Sequence, residues 1–98
     1  MFLKDGVFQR ELSNTEWDYL FDFFNLIYWG VVDRLKSDFS LTKHNIALFC
    51  FLKCGFTNEE IGRIFSTNSD SVTKAKGRLK KQLNVSFEED FDEFIRDY

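Results

Sequence analysis

Residues 57–83 read Thr57-Asn58-Glu59-Glu60-Ile61-Gly62-Arg63-Ile64-Phe65-Ser66-Thr67-Asn68-Ser69-Asp70-Ser71-Val72-Thr73-Lys74-Ala75-Lys76-Gly77-Arg78-Leu79-Lys80-Lys81-Gln82-Leu83. Thr57 and Glu60 have the spacing of a capping box, so a helix opens at Asn58 and runs to about Phe65, with Ile61, Ile64 and Phe65 inward. Ser66-Thr67-Asn68 is a short polar turn. Ser69 is placed to cap a second helix of about 70–83, whose Val72, Ala75, Leu79 and Leu83 share one stripe. Two short helices joined by a three- to four-residue turn have helix-turn-helix geometry, in which the second helix enters the major groove of DNA.

The second helix also carries the charge. Lys74, Lys76, Arg78, Lys80 and Lys81 stand against a single acid, Asp70. At roughly 100° per residue, with the apolar stripe inward, the outward arc is Asp70, Thr73, Lys74, Gly77 and Lys81. Arg78 and Lys80 flank it, within reach of phosphates, and Lys76 lies nearer the buried side, where its stem can snorkel. Glycine inside a helix costs about 1 kcal/mol relative to alanine. Gly77 therefore has two readings: a tolerated surface glycine, or a position where the helix backbone lies close to DNA.

Outward from this motif the pattern stays helical. Thr42 caps a helix of about 43–54 carrying Ile46, Ala47, Phe49, Cys50 and Leu52, and Gly55 sits where a left-handed terminal residue is wanted. Ser13-Asn14-Thr15-Glu16 is a second capping box. It opens a long helix from Asn14 to about Lys36 with Trp17, Leu20, Phe21, Phe24, Tyr28, Val31 and Leu35 on one face. A second stripe of that helix, Tyr19, Phe23, Leu26 and Ile27, is either sandwiched in the core or shared with another subunit. Ser86-Phe87-Glu88-Glu89 is a third capping box, starting an acidic helix with Phe87, Phe91, Phe94 and Ile95 on one stripe. The expected organisation is one all-α domain over residues 1–98. It comprises a loose segment 1–12, a long aromatic-rich helix within 13–40, a helix-turn-helix core at 41–84 and an acidic helix at 85–98.

Composition narrows the function classes. The chain has 98 residues, no proline and a net charge of −3. That charge divides unevenly: −3 over residues 1–41, +5 over 42–84 and −5 over 85–98, a pattern that speaks of partners, although solvated helix faces give the plainer reading. A TIM barrel needs about 250 residues. The apolar run Phe23–Val32 is interrupted by Asn25 and is short of the roughly 20 residues of a spanning helix. The first residues form no secretory signal, and two cysteines make no disulfide scaffold. A cytoplasmic protein is expected, with no membrane partner.

Leu41-Thr42, the run Cys50 to Ile64, Ser71-Val72 and Arg78-Leu79-Lys80-Lys81-Gln82-Leu83 together resemble the LuxR/FixJ-type DNA-binding domain, most closely the versions at the C-termini of Bacteroidetes regulators. The likeness covers residues 41–84 well and 13–40 more loosely, and sigma-factor region-four domains share the helical skeleton. It implies a tetrahelical fold and sequence-specific binding of double-stranded DNA by a transcriptional regulator. By position, Thr73, Lys74 and Gly77 fall where the family contacts base edges, and Thr57, Lys80 and Lys81 near its phosphate contacts. Gly62 stands where alanine is commoner, Thr73 where lysine is frequent, and Gly77 where a longer side chain often reads a base. Family regulators usually act as dimers, and the second stripe of the long helix is placed to serve as a homodimer interface. The alternative function is a helix-turn-helix-derived interaction module without DNA binding, whose aromatic helix and acidic tail bind RNA polymerase or another regulator.

Other chemistry finds little footing. Cys50 and Cys54, four apart on one helix with His44 the only histidine, read as core thiols, because a metal site needs two further ligands. His44 reads as a surface residue. The acidic run at 88–93 lacks the ligand order of a calcium loop. No nucleophile–base pair or phosphate loop is visible, so no enzyme and no cofactor is expected.

Overall fold

The capping signals at Ser13, Thr42 and Thr57 close with main-chain hydrogen bonds, whereas those at Ser69 and Ser86 do not. The computed structural model describes residues 13–86 and 88–98, and among these it has six helices and no strand. They are α1 (Asn14–Ile27), α2 (Val31–Asp38), α3 (Lys43–Lys53), α4 (Asn58–Ile64), α5 (Ser69–Gln82) and α6 (Phe91–Asp97). The expected loose segment 1–12 and Phe87 lie outside the described residues.

α1 starts at the Ser13–Glu16 capping box, with the Glu16 N–H donating to Ser13 Oγ at 3.2 Å and the Ser13 N–H to Glu16 Oε1 at 2.9 Å. It buries Trp17, Leu20, Phe21 and Phe24. The single helix expected to continue to Lys36 instead breaks at Tyr28–Gly30. Trp29 and Gly30 are both left-handed, at φ +54° and +76°. Gly30 thus supplies a turn rather than costing helix stability. The Asn25 Oδ1 then accepts from the N–H groups of Val32 (2.8 Å) and Asp33 (3.3 Å), capping α2 from the previous helix. The Arg34 guanidinium closes the corner on the carbonyls of Tyr28 and Trp29. The apolar period survives the break because α2 returns Val31, Val32 and Leu35 to the core.

α3 is the centre. Ile46 through Phe51 are all buried, since the helix packs against α1, α2, α5 and α6 and so has no solvent face in its middle. The sequence placed only Ile46, Ala47, Phe49 and Cys50 of this run inward; Leu48 and Phe51 join them, and Leu52 is half-buried. Gly55 (φ +90°) ends α3 in a Schellman motif, its N–H on Leu52 O and that of Phe56 on Phe51 O. Thr57 caps α4 as expected. The cap of α5 is Asn68 rather than Ser69: its side chain accepts from the Ser71 N–H at 2.8 Å, so the helix starts one residue early. Asparagine and serine cap about equally well, so residue type alone does not choose between Asn68 and Ser69.

The third capping box does not form. The Ser86 hydroxyl accepts from the Glu88 N–H rather than from that of Glu89, making a local turn, and α6 begins at Phe91 with Asp90 as its cap. α6 nevertheless belongs to the core, with Phe91 and Ile95 buried. Its end is held by Lys53, whose ammonium donates to the carbonyls of Ile95 (3.0 Å) and Arg96 (2.9 Å). Tyr98 packs among the rings of Phe39, Phe49 and Phe94. Its hydroxyl donates to Asp38 at 2.7 Å, and a main-chain oxygen accepts from Arg34 at 3.1 Å. No helix among the described residues is long and apolar enough to cross a membrane.

Candidate nucleic-acid interface

The α4–α5 pair is closed by a turn pressed onto the first helix. Ser66 is left-handed (φ +56°), and the Thr67 N–H donates to Gly62 O at 2.7 Å. A Cβ built on Gly62 would lie 3.0 Å from Thr67 O and 3.2 Å from the carbonyl carbon of Asn68. Gly62 therefore lets the turn lie against α4.

At the open end of the pair, Thr57 forms the expected capping box. Its hydroxyl accepts from the Glu60 N–H, and its own N–H donates to Glu60 Oε1 at 2.8 Å. The N–H donated by Thr57, then the contact with its hydroxyl, hold the Glu60 carboxyl below its ordinary range. The Asn58 amide donates to Thr73 Oγ1 at 3.2 Å, and the Thr73 hydroxyl donates to Ser69 O at 3.0 Å. That cross-helix bond was not legible in the sequence, which offers no local sign that Asn58 meets a residue fifteen positions on. It fixes the rotamer of Thr73 and ties the α4 start, with Thr57, to the outer side of α5.

The arc drawn from the helical period is the solvent face. Asp70, Thr73, Lys74, Gly77 and Lys81 are all exposed, as is Arg78, while Lys80 is half-buried. Space around Gly77 is open, with no atom within 4 Å of a Cβ built there. Lys76 faces the other way and is paired with Asp92 of α6 at 3.0 Å. The acidic helix thus engages the lysine that lies off the arc. Asn45 of α3 donates to Gln82 at 2.7 Å, tying the far end of α5 to the core.

The remaining candidates are structural. Cys50 is buried among apolar groups, which pushes its thiol upward, and both cysteines are free. Half-buried Cys54 accepts a hydrogen bond from the Tyr28 hydroxyl at 3.4 Å. Burial first, then that bond, raises Tyr28 to about 12. Exposed His44 lies edge-on to Trp17 and beside Phe65. Among the described residues no group of His, Cys, Asp and Glu is arranged to hold a metal. Comparison of the chain with family models, with curated proteins and with solved structures found no match.

Proposed function

We propose that this chain binds double-stranded DNA as a transcriptional regulator, with α5 as the recognition helix in the major groove of a tetrahelical, LuxR-like helix-turn-helix arrangement. The observation that carries the reading is the solvent face of α5. Lys74, Lys81 and Arg78 are exposed there around an open Gly77, while Lys76 alone is neutralised by the acidic helix. In this reading Thr73, Lys74 and Gly77 face base edges. Thr57, Arg78, Lys80 and Lys81 hold phosphates and so set register without reading sequence. The Asn58–Thr73 bond presents Thr73 in one orientation, leaving its methyl group to meet a thymine methyl.

The test is titration of duplex DNA at increasing salt. Three to four phosphates neutralised per protomer give a log–log slope of about −2.7 to −3.6. Lys81→Ala reduces the slope by about 1 on every sequence, whereas Lys74→Ala also relaxes the preferred site. Lys76→Ala removes the same charge from the same helix and leaves the slope nearly unchanged. A flat salt response, or equal effects of all three substitutions, overturns the reading. The alternative interaction-module reading has its own observation, the exposed aromatic side of α1.

A further inference from the structure

On α1, opposite the buried Trp17, Leu20, Phe21 and Phe24, the side chains of Tyr19, Phe23, Leu26 and Ile27 stand in solvent; Leu26 is 82% exposed and Trp29, at the following corner, 90%. Tyr19, Phe23 and Leu26 are spaced by four and then three residues, which aligns them as one seam of the kind that receives a helix. Single exposed apolar residues need no explanation, but five large ones gathered on one helix and its corner do. Trp29 sharpens the point. It holds a left-handed backbone (φ +54°) that costs a non-glycine residue about 1–2 kcal/mol. Glycine or asparagine would make that turn with less strain, and the indole adds nothing to the core. What it adds is apolar surface at the end of the seam.

The charges around the seam choose its occupant. α1 contains Glu16, Asp18 and Asp22 and no lysine or arginine. On the helical wheel Asp18 and Asp22 form a row along one edge of the seam, and the ion pair that the acidic α6 makes, Lys76 with Asp92, lies elsewhere. We propose that this face binds an amphipathic helix of another protein whose apolar stripe is flanked by lysine or arginine. The same face of a second copy supplies no such cation, since α1 has no lysine or arginine. Docked antiparallel on a twofold axis, its Asp18–Asp22 row meets itself; docked parallel, the row meets Ile27. An anionic lipid surface is repelled by the same row. The surface is separate from α5 and of opposite sign, so the inference does not depend on DNA binding.

The experiment titrates the full chain with two synthetic amphipathic peptides, about 20 residues long so that they fold, sharing one Leu/Phe stripe and flanked by lysines in one case and glutamates in the other. Binding is read by calorimetry and by the emission of Trp29. The lysine peptide binds roughly tenfold more tightly than the glutamate peptide and shifts the exposed indole emission to the blue. Phe23→Ser with Leu26→Ser abolishes this binding at an unchanged melting temperature, because both side chains are exposed. Trp29→Ser, outside any helix, weakens it independently. Asp18→Lys with Asp22→Lys reverses the preference between the two peptides. Equal or absent binding of the peptides overturns the proposal. So does lysine-peptide binding that survives Phe23→Ser with Leu26→Ser, which would locate it on the acidic α6. A concentration-dependent dimer lost in that same variant overturns it in favour of a second copy.

Discussion

The α1–α2 corner and the α4–α5 turn both leave their first helix through a left-handed residue that is not glycine, Trp29 at φ +54° and Ser66 at φ +56°. They differ in how the second helix is started. α5 takes its cap from Asn68, the residue just before it. α2 begins after Gly30, which has no side chain to cap with, and borrows Asn25 from the body of α1. They differ also in what lies beneath the turn: Gly62 lets the α4–α5 turn sit directly on its helix, whereas the α1–α2 corner projects Trp29 into solvent. A turn with its cap in sequence is legible; a turn capped from seven residues away looks like continuous helix.

The largest effect is expected beneath the tighter turn. Gly62→Ala gains helix propensity but sets a methyl against two main-chain groups, and is expected to lower stability by about 1–2 kcal/mol net in urea unfolding. Equal or greater stability would show that the turn can retreat, and that the closeness of the α4–α5 pair is incidental.

The two caps come next. Asn25→Ala leaves two N–H groups of α2 without their acceptor and is expected to cost about 1–2 kcal/mol, against about 1 kcal/mol for Asn68→Ala. Amide hydrogen exchange separates them, quickening at Val32 and Asp33 in the first variant and at Ser71 in the second. A smaller loss for Asn25→Ala than for Asn68→Ala would mean that the remote cap is dispensable and the corner is held by packing alone.

Gly77→Ala should move the other way. With open space around it and an ordinary helical backbone, it is expected to raise stability by up to about 1 kcal/mol. If α5 lies with its backbone close to DNA at this point, the stabilised variant binds duplex DNA less well. Unchanged binding would make Gly77 an ordinary surface glycine.

The smallest effect is alkaline loosening of the first corner. Tyr28 and Tyr98 both donate their hydroxyls to groups that brace α1 and α2, and burial raises each to about 12. The unfolded chain loses these protons near 10, so stability present below pH 10 falls as pH rises towards 12. Both side chains are only partly buried, which limits the loss to under about 1 kcal/mol each. Tyr98→Phe should flatten this part of the pH profile. The α4–α5 pair contains no tyrosine, and its amide protection should hold over the same range.

Among the described residues, four helices end on a left-handed residue: Trp29, Gly55, Ser66 and Asn84. The sequence announced only Gly55, because glycine is the residue whose preference matches that conformation. Ser66 could be read as part of a turn from its polar neighbours, though its conformation could not. Trp29 gave no sign, since an aromatic in an apolar run counts as helix until the chain is seen to turn there. The candidate interface was legible in the same uneven way. The exposed arc of α5 follows from the 3.6-residue period and the buried stripe alone. The Asn58–Thr73 bond and the Lys76–Asp92 pair follow from neither.

By itself, then, the sequence determined that the chain is helical, where α1, α3 and α4 start, and which side of α5 faces water. Caps and apolar period act within a turn or two of the chain, and each residue's neighbours are sufficient to specify them. Only the tertiary structure decided that the first helix folds back on itself, that Asn68 rather than Ser69 starts α5, and that the acidic helix starts at Phe91 rather than near Ser86. It also decided that the second stripe of α1 remains in solvent. Those outcomes depend on groups distant in sequence meeting in space: Asn25 with the α2 amides, Lys53 with the end of α6, and Asp92 with Lys76. No local propensity encodes such meetings, because their free energy appears only when both partners have already been brought together by burial of the same core.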